Sequence, residues 1–410
     1  MKNLILNEGY INNQNLFDRG LGSKIFTNKK SFIDLSSGQG TLLLGHNSKI
    51  FKSEIKNFLS LGISNFSAPN KHAVNFSINL KKILPDFSNF IFCNSGAEAT
   101  IKSIRIARAI TKKNLIINAS GSWHGSVDQF LYYCNKKNRP IKLSDGLDEN
   151  IKKNLVYIPY NDIKGSLKIL EKFKKKASCL IVEPIQGCLP SEDGEKYIKF
   201  LHNFCKKNKL ILIFDEVATA LRVDCSSVQQ KIKTPSDIII FGKAFGGGLP
   251  IGAIGISKRI YKTIKRKNIR VVFGGTYSAN SMSMYIGNKM LIYYLKNKKK
   301  IFDRLEFISS KFQNEINKFI EENNIDAKMI RYHSILRLLF SSKYIANRVQ
   351  RDFLEKKSSN KAKKFKNFLL SRNIYYPSNG IMFMSTSLTI KEANRLIEVF
   401  KIGLEKFFKK

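Results

Sequence analysis

Short apolar runs without polar alternation recur through the middle of the chain. They cover residues 90–93, 114–118, 179–183, 210–216 and 237–242, with the sequences FIFC, NLIIN, CLIVE, LILIFDE and DIIIFG. Such runs are typical of strands that are buried on both faces of a sheet. The stretches between them are long enough for crossover helices, so the pattern predicts an α/β domain with a mainly parallel sheet.

Capping signals place two helices. In NSGAEATIKSIRIARAI, Ser95 is the predicted N-cap and Glu98 completes a capping box. The C-terminal stretch TIKEANRLIEVFKIGLEKFFKK repeats this signal at Thr389 and Glu392 and continues as an amphipathic helix. From about residue 285 the pattern predicts a lysine-rich helical stretch to about 325, strands in SILRLLFSS and IMFMSTSL, and a polar helix between them. This part of the chain is therefore expected to form a smaller α/β domain.

The composition is that of a globular protein. The chain has 410 residues, of which 43% are hydrophobic, enough for a sizeable core and two domains. No apolar run approaches the roughly 20 residues that span a bilayer. The stretch MKNLILNEGY has too few apolar residues for a secretion signal. We therefore expect a soluble cytoplasmic protein. The six cysteines form no CxxC pair and are expected to be reduced, buried thiols.

The formal net charge is +40. Such an excess is compatible with an anionic partner or substrate, such as nucleic acid, an acidic polysaccharide or a phosphorylated compound. The lysines are nevertheless scattered in short runs such as KRKNIR and KNKKK. Lys, Asn, Ile and Phe are also frequent, as in proteins encoded by AT-rich DNA. Compositional bias is the favoured interpretation, and an anionic substrate or partner stays open as the alternative.

Polar or small residues follow each predicted strand at its carboxyl end, where open parallel sheets bind ligands. Taken singly, each has a structural explanation, such as a helix start, loop packing, an ion pair or a lysine that reaches solvent. Five of them in equivalent positions predict one site. They are Ser95-Gly96-Ala97 after FIFC, Trp123-His124 after NLIIN, Glu183 after CLIV, Asp215-Glu216 after LILIF, and Lys243 after IIIFG.

The chemistry that these residue types share is that of pyridoxal phosphate. The Lys243 amine would form a Schiff base with the cofactor aldehyde. Asp215 would pair with the pyridine nitrogen and keep the ring an electron sink. The helix N-terminus that begins at Ser95 would bind the phosphate through its backbone N–H groups. Trp123 would stack on the ring, so each group of the cofactor has a complementary residue.

Six motifs, in order, resemble those of the class III pyridoxal-phosphate aminotransferases. They are NSGAEATIKSIRIARA, GSWHG, LIVEPIQG, LIFDEVATALRV, FGKAFGGGLPIGAIG and GGTYSAN. The similarity runs from about residue 31 to the C-terminus, and the nearest branch is that of glutamate-1-semialdehyde 2,1-aminomutase. It implies fold type I, with a large domain around a mainly parallel seven-stranded sheet and a small domain built from both chain ends. It also implies a homodimer with active sites at the subunit interface.

The resemblance also implies domain bounds and roles. Residues 1–45 would form an N-terminal segment joined to the small domain, 46–285 the large cofactor-binding domain, and 286–410 the small C-terminal domain. The roles carried over are Lys243 as Schiff-base lysine and proton carrier, Asp215 as partner of the pyridine nitrogen, Val217 against the ring, Ser95, Gly96 and Ala97 on the phosphate, Trp123 in place of the usual stacking tyrosine, Glu183 near the phenolic side, and Thr276 on the phosphate of the neighbouring subunit.

The chain departs from the aminomutase branch at residues that would hold the substrate. Gln39 stands where that branch has tryptophan, and only Arg19 is a candidate for its N-terminal arginine. An acidic residue expected after the PS of PSNGIMFM is absent. The favoured function is therefore ping-pong transfer of an amino group between a separate amino donor and a keto or aldehyde acceptor. The aminomutase reaction is the first alternative, and a non-catalytic basic protein that binds nucleic acid is a remote one.

Overall fold

The computed structural model describes residues 15–66, 68–135 and 139–409. The stretch MKNLILNEGY, from which the absence of a secretion signal is predicted, lies outside the described residues. The strands are β1 (Arg19–Leu21), β2 (Lys24–Phe26), β3 (Ser31–Asp34), β4 (Phe87–Cys93), β5 (Leu115–Ala119), β6 (Tyr132–Cys134), β7 (Pro140–Lys142), β8 (Leu155–Ile158), β9 (Ala177–Val182), β10 (Ile211–Asp215), β11 (Ile238–Gly242), β12 (Gly252–Ser257), β13 (Lys328–Tyr332), β14 (Ile335–Leu339), β15 (Ile374–Tyr375) and β16 (Ile381–Phe383).

The helices surround these strands and cover both faces of the largest sheet. They are α1 (Lys49–Leu59), α2 (Lys71–Ile83), α3 (Gly96–Thr111), α4 (Ile163–Phe173), α5 (Gly194–Asn208), α6 (Val228–Lys231), α7 (Lys258–Arg266), α8 (Ser281–Lys296), α9 (Lys298–Glu322), α10 (Arg348–Glu355), α11 (Ser359–Ser371) and α12 (Ile390–Phe408). Short 3₁₀ turns add Asp128–Phe130, Ile151–Asn154, Lys243–Gly246 and Lys356–Ser358.

A seven-stranded sheet with the order β4-β12-β11-β10-β9-β5-β8 forms the centre of the fold. The pairs among β11, β10, β9, β5 and β8 are parallel, and β12 runs antiparallel to both of its neighbours. All residues of β9, β10 and β11 are buried, as their unbroken apolar sequences predict. The predicted mainly parallel α/β fold is confirmed, and all five predicted strands belong to this sheet.

Two strands of the central sheet were not predicted. β8 is short, and β12 has the sequence GAIGIS, whose glycines weaken a strand signal. The structure shows why β12 carries them. A Cβ at Gly252 would lie 1.9 Å from the Ser95 carbonyl oxygen, and one at Gly255 would lie 2.8 Å from Ile239. The glycines therefore let the backbone of β12 approach the start of α3 and its neighbour β11.

The predicted caps are present in different degrees. Ser95 is the N-cap of α3, and its hydroxyl accepts a hydrogen bond from the Glu98 N–H at 3.2 Å. The Glu98 carboxylate lies 3.5 Å from Lys102 Nζ, so the reciprocal half of the predicted capping box is replaced by an ion pair. At α12 the full capping box of Thr389 and Glu392 is confirmed.

Both chain ends meet beside the central sheet. β1, β2 and β3 form a sheet with β15, which lies more than 300 residues later in the chain, and β13, β14 and β16 form a separate three-stranded sheet. The predicted long helical stretch is the pair α8 and α9, and the polar helix is the pair α10 and α11. The domain bounds given above stay a prediction. In the described part of the chain, helices lack the combination of length and apolar character that crossing a bilayer requires.

Candidate active site

Lys243 lies directly after β11, at the carboxyl end of the strand. Its backbone is left-handed, with φ +46°, and its side chain is half-buried with Nζ 5.4 Å from the centroid of the Phe383 ring. Burial lowers the pKa of Lys243, Arg222 lowers it further, and the carboxylates of Glu183 and Asp215 partly oppose this. The amine is therefore closer to its neutral, nucleophilic form than that of a lysine in solvent.

Asp215 is the last residue of β10, the neighbouring strand, and is 4% exposed. Its Oδ2 lies 2.7 Å from His124 Nδ1, and its Oδ1 accepts a hydrogen bond from the Val217 N–H at 3.0 Å. The other ring nitrogen of His124 lies 3.1 Å from Asn118 Oδ1 at the end of β5. The ends of two strands, β10 and β5, and the loops that follow them thus fix the orientation of one buried carboxylate.

Glu183 follows β9 and is also buried. Its carboxylate accepts hydrogen bonds from the Trp123 N–H at 2.8 Å and the Gly187 N–H at 3.0 Å. Burial raises the pKa of Glu183, and the nearby Asp215 charge adds to this. Glu183 therefore ties together the two loops that follow β5 and β9.

The start of α3 forms a narrow cradle beside Asp215. A Cβ at Gly96 would lie 3.0 Å from Val217 Cγ2, and a Cβ at Gly125, whose φ is +86°, would lie 2.8 Å from Ala97 Cβ. The first N–H groups of a helix have no acceptor within the helix, and here they begin at Ser95. The small residues leave room for an anion at this helix end.

Two predicted site residues lie at the surface of the chain. The Trp123 side chain is 53% exposed, although its backbone N–H is held by Glu183. Thr276 lies in the exposed loop between α7 and α8, and its carbonyl accepts a hydrogen bond from Asn65. Within the described residues, hydrogen bonds link Thr276 to none of the other predicted site residues. The predicted roles of Trp123 as the residue that stacks on the ring and of Thr276 as a phosphate ligand of the neighbouring subunit stay predictions.

The two candidate substrate residues have different contacts. Arg19 is exposed on β1 with its guanidinium 4.5 Å from the centroid of the Phe26 ring. Gln39 is exposed in the segment Ser37–Gly40, and its carboxamide oxygen accepts a hydrogen bond from Asn379 at 3.2 Å. Gly40, the next residue, packs so closely on Phe383 that a Cβ there would lie 2.8 Å from the ring. The turn that carries Gln39 therefore lies on the same ring that Lys243 contacts.

Sequence reasoning left two buried residues of this region without a role. His124 stands beside Trp123 in GSWHG, and its position after a predicted strand was the available signal. Arg222 lies in DEVATALRV, where no pattern distinguishes a buried arginine from an exposed one. Glu216, by contrast, has a structural role, because its buried carboxylate accepts hydrogen bonds from Val228, Gln229 and Thr219.

The groups gathered here match three of the four polar groups of pyridoxal phosphate. The half-buried amine of Lys243 can react with the aldehyde. The buried carboxylate of Asp215 can pair with a protonated ring nitrogen, and the N-terminus of α3, with its small residues, can bind the phosphate. Among the described residues, no group of His, Cys, Asp and Glu has the arrangement of a metal site. All six cysteines are free, and five of them are buried.

Comparison with known proteins agrees with this match. The sequence profile of the family described as aminotransferase class-III matches residues 7–337. Two relatives are described as glutamate-1-semialdehyde 2,1-aminomutase. The one from Methanococcus maripaludis is 31% identical over 375 residues, covering 90% of this chain and 84% of its own. The one from Caldicellulosiruptor saccharolyticus is 29% identical over 402 residues, covering 96% and 91%.

Solved structures share the fold. An omega-transaminase from Sphaerobacter thermophilus superposes with a TM-score of 0.87 at 23% identity, covering 95% of this chain and 90% of its own. A glutamate-1-semialdehyde-aminomutase from Pseudomonas aeruginosa superposes with a TM-score of 0.85 at 14% identity, covering 96% and 88%. At these identities the likeness concerns the fold alone.

Proposed function

The chain belongs to the class-III aminotransferase family, and from this premise we propose that Lys243, Asp215 and the N-terminus of α3 form its cofactor site. The cofactor is pyridoxal 5′-phosphate, which supplies an aldehyde for a lysine amine and a ring that accepts electrons. The observation that carries the proposal is the meeting of Lys243 and Asp215 at the carboxyl ends of adjacent strands β11 and β10.

Each residue has a role that follows from its contacts. The Lys243 amine binds the cofactor and then holds and moves a proton at Nζ, which its lowered pKa favours. Asp215, fixed by His124 and the Val217 N–H, orients the ring nitrogen and keeps it protonated. The N–H groups at the start of α3 hold the phosphate. With the cofactor bound, Val217 would lie against one face of the ring, and Trp123 would cover the other.

The enzyme transfers amino groups, and we propose that donor and acceptor are separate small molecules. An intramolecular transfer needs its intermediate retained between two half-reactions, which favours groups that grip the substrate and close the site. Arg19 is exposed on an edge strand, and Gln39 is bonded to Asn379 in an exposed turn. Neither supplies a buried grip on a carboxylate. Ping-pong transfer, in which the first product leaves, places no such demand on the chain.

The second candidate is the aminomutase reaction, which the names of the relatives at 29–31% identity favour. The aminomutase reaction needs no added amino donor, whereas transfer between separate molecules does. Efficient conversion of glutamate-1-semialdehyde to 5-aminolevulinate without any donor would establish the aminomutase and reject transfer between separate molecules. Conversion only of added pairs, such as glutamate with keto acids or keto sugars, would establish the aminotransferase. A non-catalytic nucleic-acid-binding role is not proposed, because the chain belongs to an enzyme family.

We also propose a homodimer with shared active sites. Thr276 is exposed in a loop that carries further exposed apolar side chains, Val272 at 64% and Tyr277 at 61% exposure. Apolar surface next to a predicted phosphate ligand suits a subunit contact. The measurement is light scattering with and without Thr276→Ala. The proposal is wrong if a monomer binds cofactor at full occupancy.

The cofactor site is tested by trapping. Purified protein incubated with pyridoxal phosphate and reduced with borohydride should carry the adduct on Lys243, identified by peptide mass spectrometry. Lys243→Ala should lose the adduct, whereas Lys258→Ala, which removes an exposed lysine, should keep it. An adduct on a different lysine in the wild type would reject the assignment.

A further inference from the structure

Arg222 is the largest fully buried side chain near Lys243, with 1% exposure. Its Nε and Nη2 donate hydrogen bonds to the Gly40 carbonyl oxygen at 3.1 and 2.9 Å, and its Nη1 donates to the Met384 carbonyl oxygen at 2.6 Å. The acceptors lie 182 and 162 residues away in sequence. One guanidinium from the segment between β10 and α6 thus holds segments from both ends of the chain.

The charge of Arg222 has no carboxylate partner among the described residues, since none of its nitrogens lies within 4.0 Å of an Asp or Glu oxygen. The other two buried arginines differ, because Arg337 pairs with Glu355 at 3.3 Å and Arg351 pairs with Asp352. Burial lowers the pKa of Arg222 to about 10, so it stays charged at neutral pH. An unpaired buried charge is costly and points to a role besides packing.

The turn that Arg222 holds is strained. Ser37, Gly38, Gln39 and Gly40 all have positive φ, at 45°, 62°, 55° and 88°. Left-handed backbone costs on the order of 1 kcal/mol for a residue with a side chain, so two of the four residues store strain. The Ser37 hydroxyl donates to the Phe383 carbonyl oxygen at 2.7 Å, beside the Arg222 contact to Met384. These bonds fix the turn against β16.

Phe383 joins this arrangement to Lys243. The Arg222 guanidinium carbon and Lys243 Nζ each lie 5.4 Å from the centroid of the Phe383 ring. The two cations are therefore no more than about 11 Å apart, with the buried ring as a shared neighbour. Three of the five N–H groups of Arg222 already donate to the backbone carbonyls of Gly40 and Met384. The side chain therefore holds these two segments in place rather than binding substrate.

We propose that Arg222 is a positioning residue for Lys243: it fastens both chain ends over the lysine and places an unpaired positive charge within about 11 Å of its amine, opposite the carboxylates of Glu183 and Asp215. This inference rests on the proposed role of Lys243. The two effects are separable by substitution. Arg222→Gln removes the charge and keeps some hydrogen bonding, whereas Arg222→Lys keeps a basic group, whose charge burial opposes, and loses the forked contact to Gly40.

The test is trace acetylation of Lys243 in cofactor-free protein between pH 6 and 11, quantified by peptide mass spectrometry. At an effective dielectric constant of about 20 and this separation, Arg222→Gln should slow Lys243 labelling at pH 8 about tenfold. The control Arg337→Gln should label like the wild type, because it removes a charge that Glu355 already balances. If Arg222→Gln does not fold, Arg222→Met replaces it, since apolar side chains often substitute well for buried charges.

Hydrogen exchange of the backbone amides in residues 37–42 measures how firmly Arg222 holds the turn that contains Gly40. All three Arg222 variants should exchange faster there than the wild type. Labelling of Arg222→Gln or Arg222→Met equal to that of Arg337→Gln would overturn the electrostatic part, and unchanged exchange would overturn the fastening. Borohydride trapping is run in parallel. Trapping on another lysine would reject the proposed function, while the Lys243 titration would still decide the role of Arg222.

Discussion

Asp215→Asn separates the chemistry of the site from its architecture. The Val217 N–H can still donate to the remaining oxygen, which now lies 3.0 Å away. The new amide can donate to His124 Nδ1 where the carboxylate oxygen lies at 2.7 Å, provided that the imidazole is neutral and donates from Nε2 to Asn118 at 3.1 Å. No buried polar atom loses its partner, so we expect the free energy of unfolding to change by less than about 1 kcal/mol.

Asp215→Asn should reduce cofactor affinity more than it reduces the free energy of unfolding. A hydrogen bond to a charged group contributes about 1.5–3 kcal/mol, so the loss of the carboxylate should weaken pyridoxal phosphate binding about 10- to 150-fold. Amino transfer should fall further, because the ring nitrogen no longer stays protonated. Cofactor affinity is measured by absorbance titration, stability by urea unfolding, and half-reaction rates by stopped flow with a donor amino acid.

The matched control is Asp237→Asn. Asp237 precedes β11 at the opposite edge of the same sheet and pairs with Arg259 near the surface. It should lose some stability and keep cofactor affinity. Unchanged cofactor affinity and half-reaction rate in Asp215→Asn would refute the role assigned to this carboxylate, and equal losses in both variants would show that the effect is structural.

Three further substitutions test the predicted phosphate site, the N-cap of α12 and the buried carboxylate of Glu216. Gly96→Ala places a methyl group 3.0 Å from Val217, so cofactor affinity should fall by tenfold or more in absorbance titrations while circular dichroism stays unchanged. Thr389→Ala removes the capping box of α12 and should cost about 1 kcal/mol in urea unfolding without affecting cofactor binding. Burial raises the pKa of Glu216 to about 7, so its contribution to stability is present below pH 4.5 and is lost as the pH rises through 7. Unfolding measured between pH 5 and 8 should show a loss of up to about 3 kcal/mol in the wild type that Glu216→Gln lacks.

The sequence contained enough to locate most of the site because its residues follow apolar strands directly. A buried parallel strand needs an uninterrupted apolar run, and the residue after it must lie at the carboxyl edge of the sheet. Asp215 after ILIF and Lys243 after IIIFG are therefore found by local pattern alone. The sequence pattern did not predict β12, because its glycines allow close packing against Ser95, a contact between residues more than 150 positions apart.

The remaining parts of the site depend on contacts that no local pattern records. The hydrogen bond between His124 and Asp215 spans 91 residues, and the contact of Arg222 with Gly40 spans 182. The left-handed conformation of Ser37 and Gln39 is imposed by these distant contacts, since neither residue type favours it. Local sequence patterns do not predict segments that long-range contacts hold in place. In this protein such segments, around Gly40 and Phe383, lie beside Lys243.

The position of the charges bears on the net charge of +40. Among the described residues, the fully buried basic side chains are Lys102, Arg222, Arg337 and Arg351, and the fully buried acidic ones are Asp34, Glu183, Asp215 and Glu216. These two sets cancel, so the excess positive charge lies on partly or fully exposed side chains. Charge at the surface is screened within about 8 Å at physiological salt. Recognition of an anionic substrate would therefore depend on cations close to the site itself, and the overall excess agrees with compositional bias.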